Sequence, residues 1–143
     1  MKQALLVLSL VALGPSVAAA QAARPPEDVL ARYLYAPELV LDNQQAISLS
    51  DRARLTIQEA MLDAQQRFMG LQFMMSKETE TLKNLLRSGT VDSAAVLKQI
   101  DQMLGVEREV KRTQLSLMIK IKNTLTPQQQ ATLDQIRARG RDQ

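Results

Sequence analysis

The chain has 143 residues, 18 Lys and Arg against 15 Asp and Glu, a net charge of +3, and neither cysteine nor histidine. Thiol nucleophiles, disulfides, imidazole bases and Cys/His zinc sites are thereby excluded. The carboxylates, lysines and hydroxyls that remain form no catalytic motif, so neither an enzyme nor a cofactor or metal site is expected.

Only four aromatics occur, Tyr33, Tyr35, Phe68 and Phe73, and glycine and proline are scarce, a balance that reads as one all-α domain. Basic residues are interspersed with acidic ones, as in Glu107-Arg108-Glu109-Val110-Lys111-Arg112, so they do not build the one-signed stripe that nucleic acid binding needs.

Lys2, the apolar run Ala4 to Leu13, the break at Gly14-Pro15 and then Ala18-Ala19-Ala20 follow the order of a secretory signal peptide. The run is well short of the ~20 residues a spanning helix needs. Residues 1–20 are therefore expected to be cleaved, with Ala20-Gln21-Ala22 as a second small-x-small site, and no cysteine follows that could accept a lipid. Residues 21–36 read as a linker, stiffened by Arg24-Pro25-Pro26, and a short lead helix from Glu27 to Tyr35.

A helical domain is expected over residues 37–139. Pro37 suits the first turn of a short segment ending at Gln45. Ser50 is a good N-cap and Asp51 complements the dipole of one long helix reaching about Arg87, with Gly70 its soft point. After Ser88-Gly89, Asp92 caps a third helix to about Thr124. Thr126 and Pro127 start the last, ending near Arg139 and Gly140, and residues 140–143 read as a frayed tail. Two long antiparallel helices joined by so short a turn make a hairpin.

In the long helix Ile57, Met61, Ala64, Phe68, Leu71, Met75, Leu82 and Leu85 step by a heptad pattern, with Glu78 as the one polar member. Leu55, Leu62, Met69 and Phe73 form a second stripe about 120° around the same helix. In the third helix Val96, Ile100, Met103, Val110, Leu117 and Ile121 are expected to form the matching seam, with Glu107 and Gln114 as its polar steps. Leu97, Leu104, Met118 and Leu125 run beside it, with Lys111 in their midst. A hairpin cannot bury two faces per helix alone, so the surplus must meet the short helices, a second copy of the chain or a client.

Leu125-Thr126-Pro127-Gln128-Gln129 has a local explanation as an N-cap, a first-turn proline and a capping-box glutamine. It also fits the LTxxQ motif of the exported Spy/CpxP family of periplasmic chaperones, stress regulators and heavy-metal sensors, which the chain resembles over about residues 37–137. The family motif usually occurs twice. Here Leu49-Ser50-Asp51-Arg52-Ala53 stands where the earlier copy belongs, with Ser for Thr as the cap and Ala53 in place of the glutamine. The resemblance extends to the signal peptide, the hairpin and the segment Leu104 to Leu115.

This resemblance implies a periplasmic homodimer of curved hairpins that cradles unfolded or stressed envelope proteins without ATP. The alternative is a periplasmic metal or stress sensor, or an adaptor, acting on a membrane-bound signalling partner. Metal-sensing members rely on histidine, which this chain lacks. Met69 and Met74 lie about 140° apart on one helix, so Met69, Met74 and Met75 are read as adaptable packing. For client contact the stripe Leu55, Leu62, Met69 and Phe73 is assigned, together with Arg54 and Arg67; spacing is equally compatible with that stripe as the dimer interface.

Overall fold

The computed structural model describes residues 26–141, so the expected signal peptide, residues 1–20, lies outside the described residues. Five helices follow in order: α1 (Pro26–Tyr33), α2 (Pro37–Asp42), α3 (Asp51–Leu86), α4 (Ser93–Thr124) and α5 (Pro127–Arg141), and the described residues contain no strand. Proline opens α1, α2 and α5, where its missing N–H costs nothing. Side chains open the other two. Ser50 Oγ accepts from the Ala53 N–H at 3.2 Å, and one Asp92 carboxylate oxygen accepts from the Ala94 and Ala95 N–H groups at 3.0 and 3.1 Å.

The short α2 stops at Asp42, before the expected Gln45, because the chain turns back on itself over residues 43–48. Asn43 Nδ2 donates to the Leu39 carbonyl at 2.8 Å, and Ser48 takes a left-handed φ of 50°. For a residue with a Cβ that conformation costs roughly 1–2 kcal/mol. It lets the Leu49 N–H reach the Gln44 carbonyl at 2.8 Å and sets Ser50 at the head of α3.

The two long helices, of 36 and 32 residues, extend about 54 and 48 Å at 1.5 Å per residue. They pack against each other in antiparallel register. Ile57 shares the core with Ile121, Ala60 and Ala64 share a groove with Thr113 and Leu117, and Glu78 meets Gln99.

The α3 seam lies as its spacing predicts, with Ile57 and Ala64 buried and Met61, Phe68, Leu71, Met75, Leu82 and Leu85 partly so. The α4 seam does so only in part: Ile121 is buried and Val96, Met103 and Leu117 are partly so, but Ile100, Glu107, Val110 and Gln114 are exposed, whereas Gln99, Val106 and Thr113, each one position before an expected member, are buried. Polar chemistry explains the shift. Gln99 Nε2 donates to the Glu78 carbonyl oxygen at 2.9 Å and to its carboxylate Oε2 at 2.7 Å, so the polar member of the α3 seam is matched across the interface. The buried Thr113 hydroxyl donates to the Glu109 carbonyl at 2.9 Å. Neither side chain is left unsatisfied, and both can occupy positions that apolarity alone would assign to their neighbours.

The core sits at one end. Tyr35, Val40, Ile47, Ile57, Ile121, Leu125 and Leu133 form one buried cluster, and Leu39, Leu41, Leu49, Met61 and Leu117 pack against it. Elements from all sides of the base therefore converge there, while toward the Arg87–Asp92 turn the hairpin is two helices thick. Val106→Ala is expected to cost about 1–2 kcal/mol in urea unfolding, and Gln114→Ala, at an exposed position that the spacing assigns to the seam, under about 0.5 kcal/mol. The reverse order would restore the phase read from the sequence.

Candidate functional site

The LTxxQ-like segment is built as its chemistry requires. The Thr126 N–H donates to Gln129 Oε1 at 2.9 Å and the Gln129 N–H donates to Thr126 Oγ1 at 3.3 Å, a reciprocal capping box. Leu125 is buried in the core, Pro127 is the first residue of α5, and Gln128 is exposed.

Gln129 does more than cap. Its Nε2 donates to the Ile47 carbonyl at 3.2 Å and the Ser48 carbonyl at 3.4 Å, tying the start of α5 to the turn that precedes Leu49 and Ser50. Leu49 and Leu125 pack on the same core cluster, so the segments 49–53 and 125–129 meet in space. Ala53 offers no return bond to Ser50, and the first copy stays a single cap reinforced by an exposed Arg54–Asp51 ion pair at 2.9 Å.

A second set of contacts has no counterpart in the sequence analysis, which assigns Arg137 no role. Arg137 Nη1 and Nη2 donate at 2.8 Å to the carbonyls of Arg32 and Leu34, and Lys122 Nζ donates at 2.6 Å to that of Tyr33. These are carbonyls at the end of α1, where no helical partner exists and cations are favoured.

Tyr35 lies between the two cations, its ring centroid 4.8 Å from the Arg137 guanidinium and 5.8 Å from Lys122 Nζ. Its hydroxyl donates to Asp134 Oδ1 at 3.1 Å. Burial raises the Tyr35 pKa, the Asp134 charge and hydrogen bond raise it further, and Arg137 opposes them. The partners are some hundred positions apart, as Arg137 and Leu34 are by 103, so no local pattern could have announced them.

The surplus apolar stripe is open. Leu55, Leu62, Met69 and Phe73 are 56, 59, 62 and 74% exposed, and Leu97 and Leu104 of α4 are 61 and 50% exposed. Arg54 stands near the base of this stripe. Arg67 does not belong to it: Arg67 and Met69, two positions apart, lie about 160° apart around the helix. Arg67 instead lines grooves between α3 and α4 together with Thr113. Leu104 is nine positions, hence about 180°, from Thr113, so the stripes of both helices look away from those grooves.

Among the described residues no three Asp or Glu side chains gather where they could hold a metal ion, and no helix is long and apolar enough to cross a membrane.

Gln129→Ala is expected to lower stability by about 1–2 kcal/mol in urea unfolding, since it removes the return bond of the cap and both links to the 47–48 turn. Gln128→Ala is expected to change it by less than about 0.5 kcal/mol. Equal effects would deny Gln129 its joining role. No family model, no characterised protein and no solved structure matches this chain, so its function is argued from these residues.

Proposed function

We propose that this chain is an ATP-independent, periplasmic chaperone-like protein of the Spy/CpxP kind, working as a homodimer that holds unfolded or stressed envelope proteins on its open apolar stripes. The observation that carries this reading is the row Leu55, Leu62, Met69 and Phe73, each more than half exposed on one face of a single helix. Contiguous apolar surface of this kind marks an interaction site.

The chemistry of the row suits clients without a fixed shape. Met69 is flexible and polarizable, and the exposed Leu and Phe side chains offer area without directional demands. Fully covering one large apolar side chain is worth about 1.5–3 kcal/mol. Partial cover of four, offset by the ordering of client side chains at about 0.5–1.5 kcal/mol each, leaves a weak and reversible hold. Release then needs no ATP. Leu49, Leu125 and the Gln129 bonds fix the base from which the stripe extends.

Replacing Leu62 and Met69 together with Gln is expected to cut the suppression of light scattering from an aggregating unfolded client several-fold, with the mass of the mature chain in solution unchanged. A fall to monomer mass in that variant would make the stripe the dimer interface. No suppression by the unaltered chain with several clients would move the assignment to a sensor or adaptor seated on a membrane-bound signalling partner.

A further inference from the structure

On the flank of the hairpin opposite the apolar stripes, the small side chains Ala60 and Ala64 leave a groove of about 190 Å³ between α3 and α4. Arg67 forms part of its α3 wall and Lys120 part of its α4 wall. Among the described residues neither the Arg67 guanidinium nor the Lys120 ammonium takes part in an ion pair or a hydrogen bond; the Lys120 backbone carbonyl accepts from Thr124 Oγ1 at 2.8 Å. Two unspent cations on opposite walls of one groove suit an anion, and a guanidinium suits a carboxylate in particular, because its paired N–H groups match the two oxygens.

This first groove alone is below the roughly 300–1,000 Å³ of small-molecule and cofactor sites and is the size of a single terminal residue, and the groove that adjoins it adds about 400 Å³. The adjoining groove shares Arg67 and Thr113 and continues along Gly70, Leu71 and Met74. The path from one to the other thus runs from a cationic end to an apolar one. Its walls are not uniformly apolar: Asp63 and Ser116 border the first groove and Glu109 the second. These oxygens are acceptors for amide N–H groups and would be idle against a hydrocarbon tail.

We propose that this groove captures the C-terminus of a partner polypeptide ending in an apolar residue. The α-carboxylate is held by Arg67 and Lys120, the preceding amides donate to the wall oxygens, and the apolar side chains lie along Leu71 and Met74. Capture of a terminal carboxylate is an established mode of peptide recognition. It uses a different flank from the stripe and does not rest on the chaperone reading.

The test is fluorescence anisotropy of a tetrapeptide ending in leucine and labelled at its N-terminus, titrated with the purified chain and compared with the same peptide amidated at its C-terminus. The free acid is expected to bind saturably and the amide at least tenfold more weakly. Arg67→Gln and Lys120→Gln, both at exposed positions, are expected to weaken the acid at least tenfold while the melting temperature stays unchanged, and Leu62→Gln with Met69→Gln is expected to leave it intact. Equal binding of acid and amide, no effect of Arg67→Gln, or no binding at millimolar peptide would overturn the proposal. Displacement of the peptide by octanoate more readily than by N-acetyl-leucine would overturn it too, by assigning the groove to an amphiphile.

Discussion

Two helices packed as a pair can each bury only one face, and this constraint governs the rest of the molecule. The seam of α3 is covered by α4, but α3 carries a second row of large apolar side chains that nothing in the described chain reaches. All three of its fully buried residues, Ile57, Ala60 and Ala64, fall within its first four turns. The fold concentrates its core where α2 and α5 can add layers and leaves the remainder of the hairpin thin. Local opening is easiest where buried apolar contacts are fewest, so the apolar stripe extends from a firm base into the more yielding part of the structure.

Polar groups, rather than apolar ones, fix how the parts are set. Sliding α4 by a heptad against α3 would draw Ile121 and Leu125 out of the core cluster and would also separate Gln99 from Glu78, leaving a polar pair without partners between the helices. A partly buried group left unsatisfied costs about 1–3 kcal/mol, enough to select one register. At the base, Gln129 joins α5 to the 47–48 turn, while Arg137 and Lys122 fasten α1 by its terminal carbonyls. Tyr35 is buried among these contacts and links the lead helix to the same core.

The local signals were legible because they are strong and short-ranged. Ser50, Asp92 and Thr126 with Pro127 fixed three helix starts, and the stripes of α3 were visible as spacing. The α4 seam is legible at Val96, Met103, Leu117 and Ile121 but not at Gln99, because Ile100 outranks Gln99 on apolarity whereas the interface prefers Gln99 for the two bonds it gives Glu78. Arg67 was grouped with Met69 by closeness in sequence, although two steps along a helix point to nearly opposite sides. The docking of α1 was out of reach, since it joins residues about a hundred positions apart through backbone carbonyls that carry no sequence identity.

If the exposed row on α3 is the surface that holds clients, its methionine is a direct reporter of the contact. The decisive measurement is the rate of Met69 oxidation by dilute peroxide, followed by mass spectrometry, with and without a saturating unfolded client. Met74, which lines the groove on the other flank and is also exposed, serves as the internal control. With a client amidated at its C-terminus, which the groove does not hold, Met69 oxidation is expected to slow several-fold and Met74 oxidation to change little. Equal Met69 rates with and without bound client would contradict the assignment of the row to clients, and so would protection of Met69 that depends on the concentration of the chain alone, which would give the stripe to the dimer.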